Sequence, residues 1–189
     1  YLNKFYEEFP EIEIELLADT RSRSLSNRET DILIALSRPK KGRLKSWKLC
    51  DYYVKLYGSN EYLKKNPKIT DIKDLTNHKF VNYADELIEF PELHYLQEIN
   101  SNPNIVFSSN SLRSQLLAVK NGIGIGLLHS FVAYKEKDLK VILPEKINIK
   151  REYWIVVHEN NFHLRRIKAV TDFVTTILND EKKFLSSVE

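Results

Sequence analysis

Polar side chains recur in this sequence directly after predicted strands, where they could hold a small ligand. Each such group, taken alone, is better explained by turn formation or helix capping. Several at equivalent strand ends favour a shared site, because open α/β sheets bind ligands at the carboxyl ends of their strands. The groups are Thr20-Arg21, Ser37-Arg38, Asn82-Tyr83 and Ser109-Asn110-Ser111.

The run Ser109-Asn110-Ser111 is the most informative of these groups. It offers three successive side chains that can cap the first backbone N–H groups of a helix. Leu112, Leu116 and Val119 follow at helical spacing, so the helix has one apolar face. A helix N-terminus attracts anions, and we therefore expect a small, polar or anionic ligand. Arg21 and Arg38 could balance a carboxylate, although surface salt bridges would explain them equally well.

The glycines of 122–126 (GIGIG) do not form a nucleotide-binding loop. They begin a strand, whereas the dinucleotide fingerprint lies between a strand and a helix and has a different spacing. We predict that Gly122 ends a helix and that Gly124 and Gly126 let flanking helices pack close to the sheet.

Other patterns of catalysis and metal binding are missing from the sequence. There is no GxxxxGK[ST], HExxH or GxSxG, and the five histidines show no close metal spacing. One cysteine permits neither an internal disulfide nor a four-thiolate zinc site. We therefore predict no catalytic residues, no metal and no cofactor.

Composition is that of an ordinary globular protein. The 189 residues are 42% hydrophobic and 29% charged, enough for one large domain or two small lobes. A dispersed net charge of +3 argues against nucleic-acid binding by this segment. Cys50 is expected to be a packed thiol in a reducing cytoplasm, and no run reaches the length of a membrane span. Residues 1–9 look like the middle of a helix, so we expect further chain before Tyr1.

Hydrophobic periodicity predicts alternating strands and helices, and thus an α/β protein with mostly parallel pairing. Residues 32–36 form a continuous apolar run, which is typical of a strand buried on both faces. The predicted strands are 12–18, 32–36, 47–57, 79–83, 105–108, a strand from 123, 140–143 and 153–158. The predicted helices are 2–9, 61–65, 71–75, 112–120, 130–137 and a closing helix over about 164–177, with a loop or short helix at 20–28 and a loop with one short helix over 84–103.

Five segments together resemble the effector-binding domain of LysR-type transcriptional regulators. Each is a weak motif, but their order and spacing match that family through nearly the whole chain. The segments are FYEEFPEIEIEL, TDILIALSRP, LYGSNEYLKKNPKITDIKDLTNHKFV, SNSLRSQLLAVKNGIGIGLLHS and YWIVVHENNFHLRRIKAVTDFV.

The resemblance implies a two-lobed fold like that of type II periplasmic binding proteins. Each lobe would be a mostly parallel sheet flanked by helices, and two crossover segments near His78 and Arg151 would join them. Lobe I would then comprise residues 1–77 and 152–189, and lobe II residues 78–151.

The resemblance also implies which residues face an effector between the lobes. Ser37 and Arg38 would form the lobe-I wall, and Asn82 with Ser109, Asn110 and Ser111 the lobe-II wall. The chain departs from the family at His129, where proline is usual, and at Arg28-Glu29, where glycine is common. The family's first strand, the start of its first helix and its N-terminal winged helix-turn-helix are missing.

The function implied is that of a cytoplasmic sensing domain. A small effector would shift the population between lobe arrangements and so change how paired domains hold the DNA-binding heads. The partners implied are a second copy, as a homodimer or homotetramer, DNA through the missing N-terminal domain, and RNA polymerase. Dimers would pair the first helix and strand of one copy with lobe II of another. Alternatives are a transporter solute-binding protein, an enzyme on a related scaffold and an interaction module without a ligand.

Overall fold

The computed structural model describes residues 1–18, 30–84 and 90–181, and their contacts divide them into two units. Unit 1 contains the described residues up to Asp51 and those from Glu152 onward. Unit 2 runs from Tyr52 to Arg151. Residues 52–77, which the sequence prediction assigned to lobe I, therefore belong to unit 2, because one long strand continues through Asp51 and pairs there with the strands of unit 2.

The described part of unit 1 contains three strands and two helices. Its helices are α1 (Leu2–Glu8) and α6 (Arg165–Asp180). Strand β1 (Ile32–Ala35) pairs antiparallel with β7 (Ile149–His158), whose other neighbour is β2 (Leu44–Ser59). Both β2 and β7 continue into unit 2. The side chain of Phe5 in α1 is fully buried and packs on Phe173 of α6, with ring centroids 4.9 Å apart.

Unit 2 is organised around β5 (Ile125–His129), which is buried along its whole length. β5 pairs antiparallel with β2 and parallel with β3 (Lys79–Asn82). Strand β4 (Asn104–Ser108) extends the sheet beyond β3, and β6 (Leu139–Ile142) extends it beyond β2. The helices are α2 (Asn60–Lys65), α3 (Tyr95–Ile99), α4 (Leu112–Lys120) and α5 (Ser130–Ala133), with 3₁₀ helices at Ile72–Asn77 and Pro91–Leu93.

Short polar side chains set the helix starts of unit 2. The Ser59 hydroxyl accepts a hydrogen bond from the Tyr62 N–H at the start of α2. Asp71 and Asp74 form a reciprocal capping box at the first 3₁₀ helix. Because these caps satisfy N–H groups that the helix itself leaves unpaired, the predicted starts of both segments are confirmed to within a residue.

Strand pairing is both parallel and antiparallel. In the described ladders, the parallel pairs all include β3. β3 runs parallel to β4 and β5, as the alternating pattern predicts. The pairs β1–β7, β2–β5 and β2–β6 are antiparallel. The expectation of mostly parallel pairing holds at β3 but not at these three pairs, each of which includes β2 or β7, the strands that run from one unit into the other.

Two strand predictions in unit 1 are wrong. Residues 12–18 form no strand: no described segment pairs with them, and Leu16 is 85% exposed. Strand β1 is not buried on both faces, since Ile34 is 45% exposed and β1 has a described neighbour only in β7. Alternation of apolar and polar residues predicts which face of a strand is buried, but it does not predict which strand lies alongside. A segment without a neighbouring strand cannot pair its backbone N–H and C=O groups in a sheet. Residues 20–28 lie outside the described ranges.

The glycines after α4 act as predicted at two of three positions. Gly122 has φ +71°, the left-handed conformation that ends a helix. A Cβ at Gly126 would lie 2.8 Å from Val119 of α4, so this glycine does let the helix pack on the sheet. Gly124 differs, because its Cβ would meet the β3 backbone, 2.5 Å from the Lys79 carbonyl oxygen.

We predict that Gly124→Ala lowers the free energy of unfolding by about 1–3 kcal/mol, because the methyl group would collide with backbone that cannot move without breaking the sheet. Gly122→Asn is the matched control: asparagine tolerates positive φ, and the nearest side-chain atom is 3.5 Å away. Its expected cost is below about 1 kcal/mol. Urea unfolding measures both, and equal costs would contradict the backbone-contact explanation.

Candidate functional site

The polar loop between β4 and α4 is held by five hydrogen bonds. The Ser109 N–H donates to the Asn82 carbonyl at 3.0 Å, which ties the loop to the end of β3. The Ser111 N–H donates to the Ser109 hydroxyl, and the Ser111 hydroxyl accepts from the Ser114 N–H as the N-cap of α4. The buried Gln115 donates its amide to the Ser109 carbonyl at 2.7 Å, and its own N–H donates to the Ser111 carbonyl. The loop is therefore preorganised.

The N-terminus of α4 is suited to an anionic group that comes from outside the chain. Among the described residues, only the Ser114 N–H of the first turn has a side-chain acceptor, and the N–H groups before it have no intrahelical partner. No acidic residue lies in that turn, whereas Arg113 does. A cation at a helix N-terminus is electrostatically unfavourable, and an incoming anion would relieve it.

Asn82 adds a side-chain amide to the same end of unit 2. It is the last residue of β3, is only 7% exposed and is paired in register with Ser108. Its backbone carbonyl accepts the Ser109 N–H, but its side chain makes no hydrogen bond with any described residue. An amide that has no partner among the described residues can still bind an outside group, and this one lies at the end of β3 that holds the 109–111 loop. The structure thus brings together Asn82, Ser109, Asn110 and Ser111, although their role in binding remains a prediction. We call these four residues the unit-2 wall.

Ser37 and Arg38 lie in the loop after β1 and are exposed. The Arg38 guanidinium carbon lies 5.7 Å from the centroid of the Trp154 ring, a cation–π contact. The Trp154 indole N–H donates to Glu152 at 3.0 Å, and Glu152 also pairs with Lys48. No described carboxylate pairs with Arg38, so its charge is available to a ligand. Thr20 and Arg21 lie outside the described residues.

His129 was not identified as a functional residue from the sequence, yet it ends β5 inside a buried polar chain. Its Nε2 lies 3.3 Å from the Tyr95 hydroxyl, which lies 3.1 Å from the Tyr52 hydroxyl. Burial lowers the pKa of His129 to about 4 and, together with the nearby Tyr52, raises the pKa of Tyr83 to about 12. The replacement of a usual proline by histidine was the sequence signal that could have pointed here.

The remaining chemistry of the described residues is sparse. Cys50 is buried, and burial raises the pKa of its thiol, which disfavours a reactive thiolate. Among residues 1–18, 30–84 and 90–181, no cluster of three or more potential metal ligands is found. No described helix has the length and hydropathy needed to cross a bilayer. Two surface cavities of about 530 and 350 Å³ lie in unit 1, and neither contains a predicted site residue.

Comparison with known proteins identifies the family. Residues 1–178 match the family described as the LysR substrate binding domain. The glycine cleavage system transcriptional activator homolog of Haemophilus influenzae is 24% identical over 96% of this chain, which spans 61% of that protein's length. The regulatory domain of CrgA, a LysR-type transcriptional regulator from Neisseria meningitidis, has a TM-score of 0.75 and 22% identity, covering 94% of this chain and 89% of that one.

A further structural relative is the Synechocystis CcmR regulatory domain in complex with 2-PG, with a TM-score of 0.74 and 15% identity over 95% of this chain and 89% of that one. The match over 178 of 189 residues settles membership: the chain belongs to the LysR substrate-binding-domain family. The predicted fold class, a two-lobed α/β fold of the type II periplasmic-binding-protein kind, is confirmed. The curated relatives are transcriptional regulators, which favours that class over transporter solute-binding proteins.

We predict that protonation of His129 contributes to acid destabilisation. Its folded-state pKa of about 4 lies below the ordinary 6.5, so the stabilisation is complete above pH 6.5 and is lost as pH falls towards 4. Among the described residues, the Tyr95 hydroxyl lies 3.3 Å from His129 Nε2, and the Tyr52 ring packs on the His129 ring. The loss of unfolding free energy between pH 7 and 4.5 should be smaller by about 2–3 kcal/mol in His129→Gln. Identical pH profiles from urea unfolding would refute this.

Proposed function

We propose that this chain is the effector-sensing domain of a LysR-type bacterial transcriptional regulator. It belongs to that family's substrate-binding domain, but it spans less than two thirds of its curated relative, so the whole protein's activity is inferred. In that proposal DNA is bound by an N-terminal helix-turn-helix domain, the site of action is the cytoplasm, and RNA polymerase is the further partner. The chain itself senses and does not catalyse.

The observation that carries the ligand-binding proposal is the side-chain amide of Asn82, a residue only 7% exposed whose amide makes no hydrogen bond with any described residue. It lies beside the outward N–H groups of α4 and the Ser111 hydroxyl, which already accepts the cap bond and still has its proton to donate. Amide, hydroxyl and N–H donors at a helix N-terminus suit a carboxylate or phosphate group. The complex of a structural relative with 2-PG is consistent with a small effector. Ser37 and Arg38 are proposed as further contacts from unit 1.

We predict that Ser111→Ala abolishes the melting-temperature increase produced by an effector, because the loop loses one of the ligand's donors. A thermal melt screen of small carboxylates and phosphates, including 2-PG, identifies the responding compound through stabilisation by mass action. Asn110→Ala and Asn82→Ala should remove the same response. An undiminished response in all three variants would refute the unit-2 wall.

Ser59→Ala is the matched control for Ser111→Ala. Both serines are N-caps that accept one backbone N–H at 3.2–3.3 Å, so each change should cost about 1 kcal/mol of stability. Only Ser111 belongs to the unit-2 wall. Equal loss of the ligand response in both variants would show that the effect is on folding and not on binding.

We also propose that the domain pairs with a second copy of itself. Supporting this, the edge strand β4 is exposed at every position, and three of its residues are apolar. A second apolar group lies on and after α1 in unit 1, and such exposed groups are typical of protein–protein contacts. The two groups are Ile105, Val106 and Phe107, and Leu2, Tyr6, Leu16 and Leu17.

We predict that Val106→Lys weakens self-association, because a lysine at the centre of β4 would place an unpaired charge in the contact. Val141→Lys is the control, since Val141 is a similarly exposed valine (39% against 44%) on β6. Analytical ultracentrifugation should show a dissociation constant raised at least about tenfold for Val106→Lys only. Unchanged association of Val106→Lys would exclude β4 from the interface.

A further inference from the structure

Three side chains form a hydrogen-bonded chain in the interior of unit 2. The Tyr95 hydroxyl lies 3.1 Å from the Tyr52 hydroxyl and 3.3 Å from His129 Nε2. Exposure is 0% for Tyr52, 1% for Tyr95 and 4% for His129. Hydroxyl groups are rarely placed this deep for packing alone, because phenylalanine would fill the same volume without a polar group to satisfy.

Ring contacts also join Tyr52, Tyr95 and His129, and a further ring contact links Tyr95 to Arg151. The Tyr52 and His129 rings are 4.8 Å apart, and the His129 ring meets Tyr95 edge-on at 6.1 Å. The guanidinium carbon of Arg151 lies 5.5 Å from the centroid of the Tyr95 ring. Arg151 also forms an ion pair with Glu98, so it is bound twice to α3.

These contacts fall at the two places where the chain passes between the units. Tyr52 is the first residue of unit 2, on β2, and Arg151 is the last before the chain returns to unit 1, on β7. Tyr95 contacts both, through its hydroxyl on one side and its ring on the other. The Tyr83 ring, whose residue directly follows Asn82, lies 6.2 Å from the Tyr95 ring.

We propose that Tyr95 is a positioning residue that holds the unit-2 ends of both chain crossings to α3. Its hydroxyl secures β2 through Tyr52, and its ring secures β7 through Arg151. Both crossings are thereby fixed to the part of unit 2 that carries Asn82. This role lies beyond the proposed sensing function and does not depend on the identity of an effector.

Hydrogen exchange of the ligand-free protein, measured by mass spectrometry, tests whether the Tyr95 hydroxyl holds β2 and the Tyr95 ring holds β7. Tyr95→Phe removes the hydroxyl and keeps the ring, so exchange should rise about tenfold in peptides covering 50–54 and stay unchanged over 149–153. Tyr95→Leu removes both and should raise exchange at both crossings. Arg151→Met leaves the buried chain intact and should raise exchange only over 149–153, which gives a second measurement if Tyr95→Leu does not fold.

Tyr62→Phe is the matched control. Its hydroxyl is also buried and bonded, accepting the Lys79 N–H at 3.0 Å and lying 3.4 Å from His78 Nδ1, but it contacts neither crossing. Its effect should be confined to peptides around residue 79. The proposal is overturned if Tyr95→Phe leaves exchange over 50–54 unchanged, or if it raises exchange uniformly across unit 2 as a general loss of stability would. Failure of the effector screen would leave this result unaffected.

Discussion

The hydrogen bond from the Ser109 N–H to the Asn82 carbonyl joins three elements at the polar end of unit 2. It ties the last residue of β3 to the turn after β4, two residues before the N-cap of α4. The parallel register of β3 with β4 places Asn82 opposite Ser108, so the bond continues the ladder by one step. Strands β3 and β4 are parallel, so a crossover connection and not a hairpin joins them. The hydrogen bond between Ser109 and Asn82 therefore fixes the position of the 109–111 loop relative to the end of β3.

The same end of unit 2 combines two kinds of polar group. The 109–111 loop and Asn82 present donors that the chain itself does not use, which is the condition for binding an outside group. The Tyr52–Tyr95–His129 chain is the opposite case, because its polar atoms meet each other in the interior. Burial lowers the pKa of His129 to about 4, so at physiological pH its hydrogen bond with Tyr95 involves the neutral imidazole.

Sequence reasoning succeeded where local rules decide structure. The cap at Ser111, the helix stop at Gly122 and the packing role of Gly126 follow from short-range chemistry, and the structure confirms them. Sequence reasoning failed where the structure depends on which distant segment of the chain lies alongside. Residues 12–18 alternate like a strand but have no described neighbour, and Gly124 approaches the backbone of β3, not a helix.

By itself, the sequence determined the family, the helix starts and the polar groups at the ends of β3 and β4, because these depend on residue types and short spacings. Only the tertiary structure decided that Asn82 is largely buried beside the 109–111 loop and that β2 continues into unit 2 as one strand. It also decided that residues 52, 95 and 129 meet. These residues are 34 or more positions apart, and contacts at such separations depend on sheet register and packing, which residue patterns along the chain do not encode.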